Sequence, residues 1–291
     1  MGLIRKPFAL LILVAALVGC SASPSVSPSA VESSTAAALP SPTTENGATA
    51  LIDAVEATFA EGTVRIGQTI EFVGSSVIPD GTSGSAGGQA SLEEPPQLRL
   101  QADFTEFNVG ELVMIRDDNL LYMKGDVIQP MVGRGRWLLV DLESNAPAAA
   151  PFKSLASGQN DISMALYYLY GITGDVDASD GETIGGQPTT HYEMEIDLEG
   201  ARDTIPEERA EALEDLIASL RTGGIDRSLD GEVWVGADGI VQRLRYTYRL
   251  GPEQGMGALT TVIDFSDFGA PLDLGIPRDD DVVPVEDAAP Q

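Results

Sequence analysis

The chain has 291 residues and is strongly acidic, with 45 aspartates and glutamates against 17 lysines and arginines and a formal net charge of −28. Such a charge repels nucleic acid and anionic lipid headgroups, so nucleic-acid binding is excluded as a function. Because Cys20 is the only cysteine, an internal disulfide and a thiolate metal site are excluded as well.

The chain begins with the pattern of a secretory signal that ends in a cysteine. The apolar run at 8–17, about ten residues, is too short to cross a bilayer core of about 30 Å as a helix and is typical of a signal peptide. The next letters, LVGC at 17–20, resemble the lipobox of bacterial lipoproteins, which implies cleavage before Cys20 and attachment of diacylglycerol to its thiol. We therefore expect residues 1–19 to be a lipoprotein signal peptide and Cys20 to be a lipidation site. The alternative is an ordinary signal peptide with a chance cysteine at its edge.

Residues 20–46 are rich in serine, proline, alanine and threonine and contain no aromatic residue. This composition buries too little apolar surface to fold, so we expect a disordered tether with an end-to-end distance of about 28 Å. A lipidated Cys20 would then hold the folded part outside the cytoplasm, anchored to the cell membrane. We expect one folded domain over 47–278, followed by an acidic tail at 279–291.

Alternating apolar and polar residues predict antiparallel strands with one face exposed to water. The segments with this pattern are 63–77, 97–104, 191–198 and 240–250. Two further segments, 111–117 and 119–125, are apolar at successive positions, so both of their faces are expected to be covered. Asp238-Gly239 predicts a tight hairpin before the last of the alternating strands.

Single apolar stripes predict three helices, at 49–60, 161–172 and 204–224. The third begins with Thr204 and Glu207 in the spacing of a capping box. The Gly-rich segment 79–97 is long for a connection between strands and is predicted to be a mobile loop. The domain is therefore expected to be α+β, with helices on the apolar face of an antiparallel sheet.

Several motifs together resemble the LppX/LprG-type lipoproteins of mycobacteria and other actinobacteria. Besides the lipobox and the tether, they are IGGQPTTHYEMEID, EVWVGADGIVQRLRYTYRL and TTVIDFSDFGAPLDLGIP, in the family's order along the chain. The resemblance implies a strongly curved antiparallel sheet, or half-barrel, similar to the LolA/LolB carriers, with helices on its concave face. It also implies an apolar cavity between sheet and helices that holds acyl chains of envelope lipids or glycolipids. Some members of the family work beside an efflux transporter, so a lipid or efflux transporter is a candidate partner.

The inward-facing apolar residues of the predicted strands and of the third helix are the candidate walls of this cavity. They are Val64, Ile66, Ile70, Phe72, Leu98, Leu100, Phe104, Tyr192, Met194, Ile196, Leu213, Leu216, Ile217, Leu220, Leu244, Tyr246 and Tyr248. The same residues also suit an ordinary filled core, since protein interiors are normally close-packed. Sequence alone does not decide between these two interpretations.

Three functions follow from these patterns. The first is a non-catalytic, monomeric carrier of envelope lipids or glycolipids, without cofactor or metal, whose anchor sits in the cytoplasmic membrane. The second is an accessory scaffold for an envelope transporter, with a filled core. The third is a hydrolase of envelope lipids, which is disfavoured because the chain lacks a G-x-S-x-G nucleophile elbow.

Other polar groups are interpreted as structural. His191, the only histidine, begins a strand and is expected to be a structural or surface residue rather than a base. The segment DVDASDGE at 175–182 departs from the calcium-loop pattern and is predicted to be a turn. Tyr167, Tyr168 and Tyr170 either belong to a core helix or frame the mouth of the cavity.

One basic stripe leaves two interpretations open. Arg243, Arg245 and Arg249 alternate along a single predicted strand. Either they pair with the carboxylates of a neighbouring strand, which are Glu193, Glu195 and Asp197, or they form a docking patch for an acidic headgroup or a partner.

Overall fold

The computed structural model describes residues 44–75, 79–152, 162–207, 210–222, 225–251 and 257–288. The predicted signal peptide, Cys20 and nearly all of the tether lie outside this range. Within it, no helix is both long enough and apolar enough to cross a membrane.

In the described residues, twelve strands form one open, curved sheet that carries few helices, so the predicted α+β half-barrel class is confirmed. The strands are β1 (Thr63–Val73), β2 (Ser83–Ser91), β3 (Gln97–Phe104), β4 (Gly110–Asp117), β5 (Leu120–Gly125), β6 (Trp137–Asp141), β7 (Ile172–Ile184), β8 (Gln187–Asp197), β9 (Ile225–Gly236), β10 (Val241–Leu250), β11 (Ala258–Ser266) and β12 (Val282–Pro284).

The order across the sheet is β12-β6-β5-β4-β3-β2-β1-β11-β10-β9-β8-β7. The strands β1 to β6 form one antiparallel meander and β7 to β11 form another, and the two join where β1 pairs with β11. Only β12 is parallel to its neighbour, β6. The sheet thus consists of two halves on either side of the β1–β11 junction.

Within the part of the chain that the structure describes, the sheet is accompanied by the α-helices α1 (Thr44–Phe59), α2 (Gln129–Val132), α3 (Ile162–Tyr167) and α4 (Ala210–Thr222). The apolar residues of α1, α3 and α4 belong to the same buried cluster as the inward residues of the strands. One side of the sheet therefore carries these helices and the main buried cluster, and the alternating polar residues of the strands lie on the other side.

Local sequence explains most of these elements. In β1 the buried and exposed residues alternate as the period of two requires, with Ile66 and Ile70 inside and Arg65 and Glu71 outside. The predicted hairpin at Asp238-Gly239 joins β9 to β10, and Gly239 has the positive φ of 81° that such a turn demands. The successive burial predicted for β4 and β5 is also found, since Ile115 and Tyr122 are buried on the second face.

The expected mobile loop at 79–97 is wrong for about half of its length, because residues 83–91 form β2. This strand consists of serine, glycine, alanine and one glutamine, which lack the β-branched and aromatic side chains that usually indicate a strand. It forms because it pairs along both edges, with β1 and with β3. At Gly84 a Cβ atom would come within 3.0 Å of the rings of Phe104 and Phe107, so glycine at this position makes room for those rings.

Three other expectations need correction. The segment 175–182 is part of strand β7, with register irregularities, rather than a turn. The acidic tail is not separate from the sheet, because β12 pairs with β6 and both Val283 and Val285 are buried. The third predicted helix begins at Ala210 instead of Thr204, whose hydroxyl donates to the backbone oxygen of Tyr170.

Candidate functional site

The inner face of the sheet is apolar across most of its width. One row of laterally adjacent residues crosses eight strands, from β8 through β1 to β4. Its members are Tyr192, Val233, Leu244, Ile263, Gln68, Ala86, Ala102 and Leu112. All of them except Gln68 are apolar side chains at most 7% exposed.

The residues predicted to line a cavity are brought together on this face. Those that are buried in one continuous cluster are Val64, Ile66, Ile70, Phe72, Leu98, Leu100, Phe104, Tyr192, Met194, Ile196, Leu213, Ile217, Leu220, Leu244 and Tyr246. Tyr248 packs against the same cluster but is only partly buried. The side chain of Leu216 lies outside the described part of the chain. Burial in a cluster is compatible with a cavity wall and with a filled core, so both interpretations persist.

The helices do not cover the sheet evenly. Helix α1 packs against β7 and β10, and α4 packs against β9. In the other half, the four-residue α2 contacts β6, and the 3-10 helix Thr105–Phe107 contacts β2 and β4. The described helices thus pack most closely on the half made of β7 to β11.

Aromatic side chains tie the helices to that half. The ring of Tyr167 stacks on Phe59 of α1 with 4.7 Å between centroids, and Tyr168 lies 5.3 Å from Tyr246 of β10. The Tyr246 hydroxyl donates to the backbone oxygen of Ala165 in α3. Tyr167 and Tyr168 are therefore core residues.

Burial keeps the two tyrosines of β10 neutral. It raises the pKa of Tyr248 to about 12, although a hydrogen bond with Tyr168 opposes the rise. Burial, followed by the charge of Tyr248, raises the pKa of Tyr246 well above its usual value. Their hydroxyl groups therefore act as neutral hydrogen-bonding groups near pH 7.

Two polar side chains lie within the apolar inner face near the junction of the halves. Gln68 of β1 stands opposite Ile263 of β11, and the buried Thr261 is two residues further along β11. The Oε1 atom of Gln68 is buried and has no hydrogen-bond partner in the structure. Gln68 was not among the predicted wall residues, although the alternation of β1 places it on the inner face.

The basic stripe of β10 lies on the outer face and is paired with acidic residues. Arg243 bonds Asp264 and Glu182, Arg245 bonds Glu232 at 3.0 Å, and Arg249 bonds Asp230 at 2.7 Å. The expected pairing with Glu193, Glu195 and Asp197 is wrong, because β9 lies between β10 and β8.

His191 is also held on the outer face. Its ring stacks on Trp234 with 4.3 Å between centroids, and its Nε2 atom lies 3.2 Å from Glu232. A second carboxylate, from Glu193, lies 3.7 Å from Nδ1. The imidazole is thus enclosed by an indole ring and two carboxylates.

A polar pocket of about 420 Å³ opens on the outer face at the end of β8 and β9. Its lining residues are Thr173, Glu195, Asp197, Glu199, Arg227 and Ser228. Burial by itself would raise the pKa of Glu199, but the guanidinium groups of Arg202, Arg221 and Arg227 lower it overall. These ion pairs satisfy the carboxylate within the protein. Among the described residues, no group of three or more histidine, cysteine, aspartate or glutamate side chains is arranged to hold a metal ion.

Comparison with known proteins yields matches among solved structures only. No family model and no curated protein sequence matches this chain. The crystal structure of the Mycobacterium tuberculosis lipoprotein LppX is similar over 79% of this chain and 98% of its own, with 14% sequence identity and a TM-score of 0.47. LprF from Mycobacterium bovis is similar over 80% of this chain and 97% of its own, with 15% identity and a TM-score of 0.46. Both structures are of the LppX/LprG type that the sequence motifs resemble.

Proposed function

We propose that this protein is a lipoprotein of the cell envelope that binds the acyl chains of a lipid or glycolipid between its sheet and its helices. In this proposal Cys20 carries the lipid anchor, and the domain works outside the cytoplasm at the membrane surface. It carries or presents lipid to an envelope partner, such as a transporter, without chemical catalysis. The observation that carries the proposal is the continuous apolar inner face, which extends over eight strands.

A lipid carrier must shield the acyl chains of its ligand from water as the membrane does. At about 0.8 kcal/mol per buried CH₂, a chain of roughly 16 carbons exposed to water costs about 13 kcal/mol. A surface groove that shields half of the chain still forfeits about 6 kcal/mol, so the chain needs an enclosed apolar space. A wide apolar sheet face with helices on one side supplies suitable walls.

The half made of β1 to β6 is our candidate for the position of that space. The helices approach β7, β9 and β10 most closely, whereas β2 contributes only Gly84, Ala86, Gly88 and Ala90 to the inner face. Gly84 lies under the rings of Phe104 and Phe107, so the small side chains that favour a channel are those of Ala86 and Ala90.

A non-catalytic role is supported by the way in which the polar groups are used. The only histidine is enclosed on the outer face by Trp234, Glu232 and Glu193, on the opposite side of the sheet from the proposed lipid. The buried tyrosines are kept neutral, and Tyr246 donates its hydrogen bond to a backbone oxygen. The described interior thus offers hydrogen-bonding groups rather than an activated nucleophile.

The first test is mass spectrometry of the chain with Cys20→Ala, which blocks the anchor, after expression in an actinobacterial host. We expect the native mass to exceed the denatured mass by one stoichiometric lipid, which organic solvent then extracts. A mass equal to that of the bare chain, without uptake from added cell lipids, would contradict the carrier and support the scaffold with a filled core. In parallel, the chain with Cys20 intact should gain the mass of an N-terminal lipid.

A pair of neighbouring substitutions tests where the lipid lies. Ala86→Leu adds an apolar side chain to the inner face of β2, and Ser85→Leu adds the same side chain to the outer face. We expect Ala86→Leu to fold and to lose most of its lipid, and Ser85→Leu to retain it. If the space at Ala86 is filled by protein, the inner substitution will instead destabilise the fold by about 1–3 kcal/mol through overpacking, which urea unfolding measures.

A further inference from the structure

Gln68 is an unusual residue at its position. It occupies an inward position of β1, between Ile66 and Ile70, and its lateral neighbours are Ile263 on β11 and Ala86 on β2. Every other member of its row across the sheet is a buried apolar side chain. A leucine or methionine would suit the row without changing its volume greatly.

The amide oxygen of Gln68 is not satisfied by the protein. Its Oε1 atom is buried and accepts no hydrogen bond. A buried acceptor without a donor is unfavourable, because the group has lost its hydrogen bonds to water without replacement. Such a group in a native interior requires an explanation, and a bound ligand is one.

A second polar group stands beside it. Thr261 is buried on the inner face of β11, where it pairs with Ile70, the next inward residue after Gln68 on β1. Residues two positions apart on adjacent strands lie diagonally opposite, within about 7–8 Å of each other. An amide and a hydroxyl thus form a small polar site within an apolar face, at the junction of the two halves.

We propose that Gln68, with Thr261 beside it, binds a hydroxyl group of the lipid held on the inner face. The inference rests on the proposed carrier function and specifies its ligand class. An amide oxygen requires a donor, and a free hydroxyl supplies one, whereas an ester oxygen and an ether oxygen do not. The ligand is therefore a lipid whose acyl chains are accompanied by a free hydroxyl inside the protein, in preference to a fully esterified lipid with the same chains. That hydroxyl belongs either to the glycerol backbone or to a hydroxylated acyl chain.

The test compares matched lipid pairs on the full chain with Cys20→Ala, after removal of any lipid bound during expression. The first pair is 1,2-dipalmitoylglycerol and its 3-acetyl ester, and the second is methyl 12-hydroxystearate and methyl stearate. We expect wild-type Gln68 to favour the hydroxyl member of one pair by about tenfold in Kd, the value of one hydrogen bond to an otherwise unpaired group. The pair that shows the preference identifies the source of the hydroxyl.

Two variants assign the preference to this residue. Gln68→Leu should abolish it and bind both members of the pair alike, whereas Gln101→Leu, on the exposed face of β3, should retain it. A preference that survives Gln68→Leu would overturn the inference. Equal binding of both members by the protein with Gln68 intact would also overturn the inference. In either case the carrier function would stand. If none of the four lipids binds, and none was present before extraction, the carrier proposal fails together with the inference.

Discussion

The two halves of the sheet solve the same packing problem differently. In the half made of β7 to β11, α1 and α4 lie close to the inner face, and ion pairs of Arg243, Arg245 and Arg249 connect the strands outside. In the half made of β1 to β6, β2 presents only small residues on the inner face, and Met114 of β4 pairs with Met123 of β5. The first arrangement is typical of a filled core, while small residues and adaptable methionines favour an interior that accepts a guest.

An extended segment at 267–281 packs across the outer face of the half made of β1 to β6. After β11 it crosses the sheet and hydrogen-bonds three strands in turn: Ala270 with Thr63 of β1, Asp273 with Gln89 of β2, and Leu274 with Arg99 of β3. It then forms β12 against β6. This half is therefore braced from outside.

The largest expected effect comes from truncating one buried leucine in each half. Leu244→Ala opens a void beside closely packed helices and should lower the free energy of unfolding by about 3–4 kcal/mol. Leu100→Ala, equally buried on β3, should cost only about 2 kcal/mol in the lipid-free protein, because the transfer term is lost but little new cavity is created. Urea unfolding of both variants measures the difference.

The comparison of the halves depends on that difference. Equal losses of 3–4 kcal/mol would mean that the inner face is packed alike on both sides, and the proposed position of the lipid would be wrong. Rebinding of the lipid should stabilise the parent chain, and Leu100→Ala should change the size of this stabilisation more than Leu244→Ala does.

The next effect is a pH dependence of the stability, which shows whether water is excluded from the interior at β10, in the half made of β7 to β11. The folded protein holds the pKa of Tyr248 at about 12, whereas an unfolded tyrosine ionises near 10. Stability is therefore fully present below pH 10 and falls between about pH 10 and 12, because only the unfolded chain loses the proton there. The fall should amount to about 2 kcal/mol, and Tyr246, whose pKa is raised in the same direction, adds to it.

Tyr248→Phe isolates this contribution. The variant keeps the ring, so its urea midpoint at pH 8 should change little, while its decline above pH 10 should be shallower than that of the parent chain. Parallel declines in the two proteins would show that the hydroxyl is hydrated in the folded state and that this part of the interior is wet.

Sequence predicted the parts of the fold in which side-chain character and geometry agree. HYEMEIDL alternates cleanly and forms most of β8, and the segment with an apolar stripe at 49–60 forms most of α1. Strand β2 was not predicted, because its glycines and serines pair through the backbone and carry no side-chain signal. Likewise, alternation assigns Arg243 to the outer face but gives no strand order, so its partners on β11 and β7 could be known only from the fold.

The candidate site shows the same division. Period-two alternation alone places Gln68 inside, but a glutamine lacks the apolar character by which cavity walls are recognised in a sequence. Its lack of a hydrogen-bond partner is a property of the three-dimensional surroundings. The proposed anchor is the opposite case, since the prediction for Cys20 rests on local sequence alone and the residue lies outside the described residues.

The smallest expected effect distinguishes the ion pairs on the outer face of one half from the hydrogen bonds to segment 267–281 on the outer face of the other. Arg243 bonds Asp264 and Glu182, and its guanidinium lies 5.7 Å from the ring centroid of Trp234, so Arg243→Met should cost about 1 kcal/mol at low ionic strength. In 1 M salt much of that loss should disappear, because screening weakens partly exposed ion pairs in the parent chain.

Arg99→Met removes a hydrogen bond to the backbone oxygen of Leu274 and should cost a similar 0.5–1.5 kcal/mol, but with little dependence on salt, since the acceptor carries no net charge. Urea unfolding at two salt concentrations distinguishes them, and an equal response to salt would mean that both halves rely on the same kind of outer contact.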